Sequence, residues 1–200
     1  MSLMATIDPA LIKRLREQTS AGVMDCRQAL EQAGGQYDEA ARLLKIKGAA
    51  IAAKKHDRIT TAGAISAYIH GGRIGVLVEV NSETDFVARN EKFQDFVHQL
   101  LLHIAAMNPT YVSQDDVPSE LVAREIEQLQ EQLVGADGDA FVSAQKSHME
   151  KFYAGLCLLN QPFVKDESRT IQDLLTELIA VTGENIVIRR FTRYQLGDVA

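Results

Sequence analysis

Two hundred residues, 46% apolar and 24% charged, suffice for a sizeable core. The formal charge of −6 is uneven: residues 1–58 carry ten Lys and Arg against seven Asp and Glu, and the remainder carries eleven against twenty. So acidic a larger part argues against extensive nucleic-acid binding, which phosphate neutralisation drives, and no run approaches the roughly 18–20 apolar residues of a membrane span.

The start lacks a signal peptide's charged and apolar regions, and "MSLM" offers two start methionines, so that Met1–Leu3 read either as native or as a cloning remnant. Asp8-Pro9 supplies an N-cap and a first-turn proline for a helix carrying Leu11, Ile12 and Leu15. "TSAG" (19–22) breaks it. A second helix carries Val23, Cys26, Ala29 or Leu30, and Ala33, and ends at Gly34-Gly35. A third runs from about Gln36 to Lys47, with Tyr37, Ala40, Leu43 and Leu44 at helical spacing, and stops at Gly48. Such a unit has a marginal core and is expected to lean on something else. "AAIAAKKHDR" (49–58) reads as a helical linker, either solvated or a phosphate-binding patch. No aromatic residues interleave with its lysines, which favours the former.

From about Ala62 the period becomes two. Ile65, Ala67 and Ile69 lead to "HGGR", followed by Ile74, Val76, Val78 and Val80: two strands joined at Gly71-Gly72. In "VNSETDFVARN" (80–90) the second strand runs into a helix, with Asn81 and Ser82 as capping oxygens and Glu83 and Asp85 in its first turn. That helix is expected to run to Met107, on a buried stripe of Phe93, Val97, Leu100, Leu101, Ile104 and Met107. Residues 119–135 and 139–159 form a helical hairpin turning at "GADGD", Ile171–Val181 one more helix, and Asn185–Tyr194 a third strand. The expected architecture is α+β: residues 1–57 a three-helix bundle with basic linker, residues 58–200 a core with a small antiparallel sheet and the hairpin at about 119–159. The second face of that sheet is also partly apolar (Ala64, Tyr68, Leu77, Val187, Phe191). One helix layer cannot easily cover both faces, so a homodimer pairing the sheets is expected.

Chemistry-bearing motifs are scarce. The sequence contains no phosphate-loop, nucleophile-elbow or His-Glu-x-x-His pattern. His98 and His103 are five apart and do not share a helix face, and His70 at the hairpin tip is either a plain turn residue or a contact. Cys26 and Cys157 have no partners at metal spacing, which fits a reducing, cytoplasmic setting and leaves an intersubunit disulfide open. The expectation is a binding protein and not an enzyme, with no cofactor, no resident metal, no direct nucleic-acid contact and no membrane.

Three stretches then point to a family. "LIKRLREQTSAGVMDCRQAL" (11–30), "EVNSETDFVARNEKF" (79–93) and "GLCLLNQPFVKD" (155–166) resemble, in order, the N-terminal, second and C-terminal segments of the elongation factor Ts family. The resemblance implies guanine-nucleotide exchange on elongation factor Tu, in bacterial-type cytoplasm, with a ubiquitin-associated-like first domain that docks on the GTPase. By position, Arg16, Val23 and Met24 match residues that touch the partner, although methionine is usual where Val23 stands; ordinary core packing is the alternative for Val23 and Met24. Thr84, Asp85, Phe86 and Val87 match the element that dislodges Mg²⁺ from the GTPase, with Phe86 as wedge and Asp85 beside it. His70, Gly71 and Gly72 are further contact candidates. From the residues alone, Phe86 is equally a staple of helix to sheet.

Overall fold

The computed structural model describes residues 7–132 and 138–198; Met1–Leu3 and residues 135–137 of the "GADGD" turn lie outside them. Along the chain run α1 (Pro9–Thr19), α2 (Val23–Gln32), α3 (Tyr37–Lys55), β1 (Ala62–His70), β2 (Ile74–Ser82), α4 (Asp85–Ala88) and α5 (Glu91–Met107). These are followed by α6 (Ser119–Gln132), α7 (Gly138–Leu156), β3 (Pro162–Phe163), β4 (Asp166–Thr170), α8 (Ile171–Thr182) and β5 (Ile186–Gln195). Strands β1, β2 and β5 form a three-stranded antiparallel sheet with β2 in the middle, so the expected α+β class is found, opening with three helices of ubiquitin-associated type. The β3–β4 hairpin was not expected from the sequence, because β3 is only two residues long and β4 is polar and charged.

The described residues fall into two compact units. The first contains the chain up to Ala64, Val80–Phe96 and Asp173–Val187. The Asp8 carboxylate accepts from the Ala10 N–H at 2.8 Å, with Pro9 at the first helical position, so α1 starts where its residues dictate. Leu15, Cys26, Ala29, Leu30, Ala33, Ala40 and Leu44 close the three-helix core. Helix α3 does not stop at Gly48 but passes through it to Lys55. Gly48 is buried against α8, where a Cβ would lie 3.7 Å from that of Ala180, and Lys45 pairs with Asp173 at 2.9 Å. The glycine is therefore a point of close helix approach, and the bundle leans on α8 as its small core requires.

The long helix expected from Glu83 to Met107 is two helices, and Met107, the last residue of the expected buried stripe, is 42% exposed. Asn90 takes the Lys92 N–H on its side-chain oxygen at 2.9 Å, and the Gln94 amide donates to the Ala88 carbonyl at 2.6 Å. Both bonds satisfy groups that a continuous helix would have paired internally, so α4 ends and α5 begins anew.

The second unit contains Ile65–Glu79, Val97–Gln172 and the chain from Ile188. Gly71 (φ +55°) and Gly72 (φ +69°) make the left-handed turn of the β1–β2 hairpin, closed by the Arg73 N–H donating to His70 O at 3.0 Å. Three residues separate His70 from Ile74, and this sets the parity: on β1 the outward side chains are Ile65, Ala67 and Ile69, while Ala64 and Tyr68 are half-buried. The expected outer face is corrected accordingly. Leu77 is exposed as anticipated, but Val187 and Phe191 are half-buried. On β5 the alternation breaks at Arg189 and Arg190, both exposed, after which Arg193 donates to the Ala105 carbonyl of α5.

Helices α6 and α7 form the expected hairpin, bridged by His148 and Glu125. His98 is exposed; His103 is fully buried, its Nε2 2.9 Å from the Gln161 side-chain oxygen and its Nδ1 accepting from the Val164 N–H at 3.3 Å. Burial pushes its pKa below the usual imidazole value. Cys26 and Cys157 are also fully buried, and burial raises both thiols, so neither offers a sulfur for an intersubunit disulfide.

Candidate partner-binding surface

The strand-to-helix junction in the first unit is built differently from what the motif alone suggests. Asn81 and Ser82 do not cap the helix. The strand runs through Ser82, the Asn81 amide donates to Ala62 O, and the Ser82 hydroxyl donates to Thr84 O at 2.9 Å. The N-cap is Thr84, whose hydroxyl accepts from the Val87 N–H at 3.5 Å, with Asp85 in the first turn. Across β1, Gly63 admits the strand: a Cβ there would sit 2.3 Å from the Val80 carbonyl oxygen.

Four residues of helix cannot hold themselves together, since nucleation outweighs so few hydrogen bonds. The junction is held instead from the α8–β5 turn. Glu184 accepts the Thr84 N–H at 3.0 Å and the Thr84 hydroxyl at 2.7 Å. In the other direction, the Asn185 N–H donates to Glu83 at 2.7 Å, and Arg58 stands 3.4 Å from the same carboxylate. The Asn185 bond, aided by Arg58, holds the Glu83 pKa below the usual carboxylate value against a smaller opposing effect of burial. Its stabilising contribution is therefore present above the unfolded pKa and lost as pH falls through the folded one. The buried Asn185 side chain donates to His56 O at 2.9 Å and Arg58 O at 2.8 Å, tying the junction to the end of α3.

On this fixed base Phe86 is 89% exposed. A staple of helix to sheet would be buried, so that alternative does not describe this side chain. Asp85 beside it is exposed, and Val87 is half-buried. Also in the first unit, Arg16 is exposed at the end of α1, and Val23 and Met24 are exposed at the start of α2, so neither apolar side chain belongs to the three-helix core. His70, Gly71 and Gly72 are exposed at the hairpin tip of the second unit, with the Tyr68 hydroxyl 2.9 Å from His70 Nδ1.

Glu184 and Asn185 were not anticipated. Nothing in the sequence links positions a hundred residues apart; the only local sign is a polar pair after the helix-ending Gly183. Among the described residues, no group of three or more His, Cys, Asp or Glu is placed to hold a metal, and no helix is long and apolar enough to cross a membrane.

Comparison with known proteins bears on this surface. The family described as elongation factor TS matches residues 10–198. The elongation factor Ts of Alkaliphilus oremlandii is 52% identical over 96% of this chain and 90% of its own. That of Moorella thermoacetica is 50% identical over 96% of both chains, and that of Coprothermobacter proteolyticus 47% over 96% of this chain and 99% of its own.

Proposed function

The chain belongs to the elongation factor Ts family, the nucleotide exchange factors of elongation factor Tu in translation elongation, and from that premise we propose that Phe86 is the wedge by which it expels GDP. A GTPase holds its nucleotide through Mg²⁺ and a phosphate-cradling loop whose geometry tolerates little displacement. An exchange factor makes and breaks no bond. It binds the nucleotide-free partner more tightly than the loaded one, and linkage weakens nucleotide binding by the same factor. Such discrimination needs a projection that does not yield. An aromatic side chain left 89% exposed on a four-residue helix anchored at both ends is one, and this single observation carries the proposal. Phe86 enters an apolar slot of the GTPase; Thr84 and Val87 fix its direction, and the Asp85 carboxylate, beside it, disturbs the Mg²⁺ site.

Arg16, Val23 and Met24 serve as the separate docking point of the three-helix domain, residues 1–57, and residues 58–200 as the core that carries the wedge. His70, Gly71 and Gly72 add a further contact. The setting is the bacterial-type cytoplasm. Release of labelled GDP from elongation factor Tu tests the wedge: Phe86→Ala slows stimulated release at least tenfold, because an aromatic anchor realised in the complex is worth roughly 2 kcal/mol or more. Release at the wild-type rate would refute it.

A homodimer is part of the same proposal. In the second unit Ile65, Ile69, Leu77 and Tyr194 are 66, 65, 45 and 72% exposed, a large apolar surface for one chain to leave to water. The occupant proposed for it is a second copy of this sheet. Light scattering at micromolar concentration is expected to give about twice the 22.1 kDa chain mass, and a persistent monomer would contradict it.

A further inference from the structure

We infer that Glu184 is a positioning residue for exchange, setting the direction in which Phe86 projects; this rests on the wedge role proposed for Phe86. The observation is a reciprocal lock between two dipeptides a hundred residues apart. Glu184 takes both donors of Thr84, its N–H at 3.0 Å and its hydroxyl at 2.7 Å, while the next residue, Asn185, returns its own N–H to Glu83 at 2.7 Å.

The consequence lies in the Thr84 hydroxyl. It has one proton, and giving that proton to Glu184 turns its lone pairs toward the Val87 N–H, the cap of α4. Glu184 thereby fixes both the backbone that enters α4 and the rotamer of its cap. Asn185 supplies the counter-anchor: it is buried, and its amide is held by the His56 and Arg58 carbonyls. The turn that carries Glu184 is thus itself immobilised. Without the carboxylate, the start of α4 keeps the Ser82 hydroxyl on Thr84 O and the Asn185 N–H on Glu83, but the Thr84 side chain keeps only the weak 3.5 Å cap, and the ring of Phe86, two residues on, loses its direction. Glu184 need not touch the partner for this.

A loss of packing would change stability, whereas a loss of aim changes exchange only while there is something to aim. The test is therefore a cycle: GDP release from elongation factor Tu across a range of concentrations of the full chain, for Glu184→Ala, Glu184→Gln, Thr84→Val and Thr84→Ser, with Glu184→Ala repeated on Phe86→Ala. Thermal melting accompanies each. Glu184→Ala is expected to cut the maximal stimulated rate at least fivefold with the half-saturating concentration within twofold. On Phe86→Ala it should add less than twofold. Glu184→Gln, which keeps one acceptor, and Thr84→Val, which keeps the backbone bond, should fall between; Thr84→Ser, which keeps both bonds, should exceed Thr84→Val at least twofold. A maximal rate for folded Glu184→Ala within twofold of wild type, or an equal loss on both backgrounds, would overturn the inference. Should Glu184→Ala fail to fold, Thr84→Val against Thr84→Ser decides, and equal rates overturn it. Full exchange by Phe86→Ala would remove the wedge itself and this inference with it; slow Phe86→Ala beside fast Glu184→Ala would remove this inference alone.

Discussion

Phe86 and Phe93 are the same residue seven positions apart, a spacing that would set them on one face of a continuous helix, yet Phe86 is 89% exposed and Phe93 fully buried. The break at Arg89-Asn90 makes the difference. Asn90 restarts the helix and Gln94 closes the end of α4, so Phe93 begins the buried face of α5 while Phe86 belongs to a corner with its own anchors. The contrast separates two uses of one side chain. Phe93 contributes its burial to the fold of the free protein. Phe86 contributes almost nothing there, and its apolar surface remains available to a partner.

That division can be broken by mutation, with effects graded along it. Phe93→Ala removes a fully buried aromatic and should destabilise the free protein by about 3–5 kcal/mol. Denaturant unfolding checks this, and a loss below about 1 kcal/mol would show that the two residues are not divided as described. Asn90→Ala removes the cap of α5 and should cost about 1 kcal/mol. It also weakens the break, so exchange should fall even where the protein is fully folded. Phe86→Ala should leave the unfolding free energy within about 0.5 kcal/mol of wild type, as other exposed substitutions do. A large drop in melting temperature would return Phe86 to the core.

Much of this was legible in the sequence, and the failures have physical causes. The α1 and α2 boundaries followed from Asp8-Pro9 and Gly34-Gly35, where local chemistry decides the backbone. The antiparallel sheet followed from the alternation of Val76, Val78 and Val80. Gly48 misled because glycine ends helices and also permits their close approach, and only the position of Ala180 distinguishes the two. The outward parity of β1 depended on a three-residue spacing at the turn that the Gly71-Gly72 pair concealed. The unbroken helix through Arg89-Asn90 was wrong because side-chain bonds from Asn90 and Gln94 replaced backbone ones. As for the candidate site, Thr84–Val87 stood out as a motif, but what holds it did not, since Glu184 and Asn185 reach it only through the fold.

The central claim is that the energy of Phe86 is realised against one state of the partner and not the other. The direct measurement is the affinity of wild type and Phe86→Ala for nucleotide-free and for GDP-bound elongation factor Tu, by calorimetry or surface binding. The account predicts at least a tenfold loss for the nucleotide-free form and less than twofold for the GDP-bound form. An equal loss for both would mean that Phe86 only holds the partner and does not drive nucleotide release.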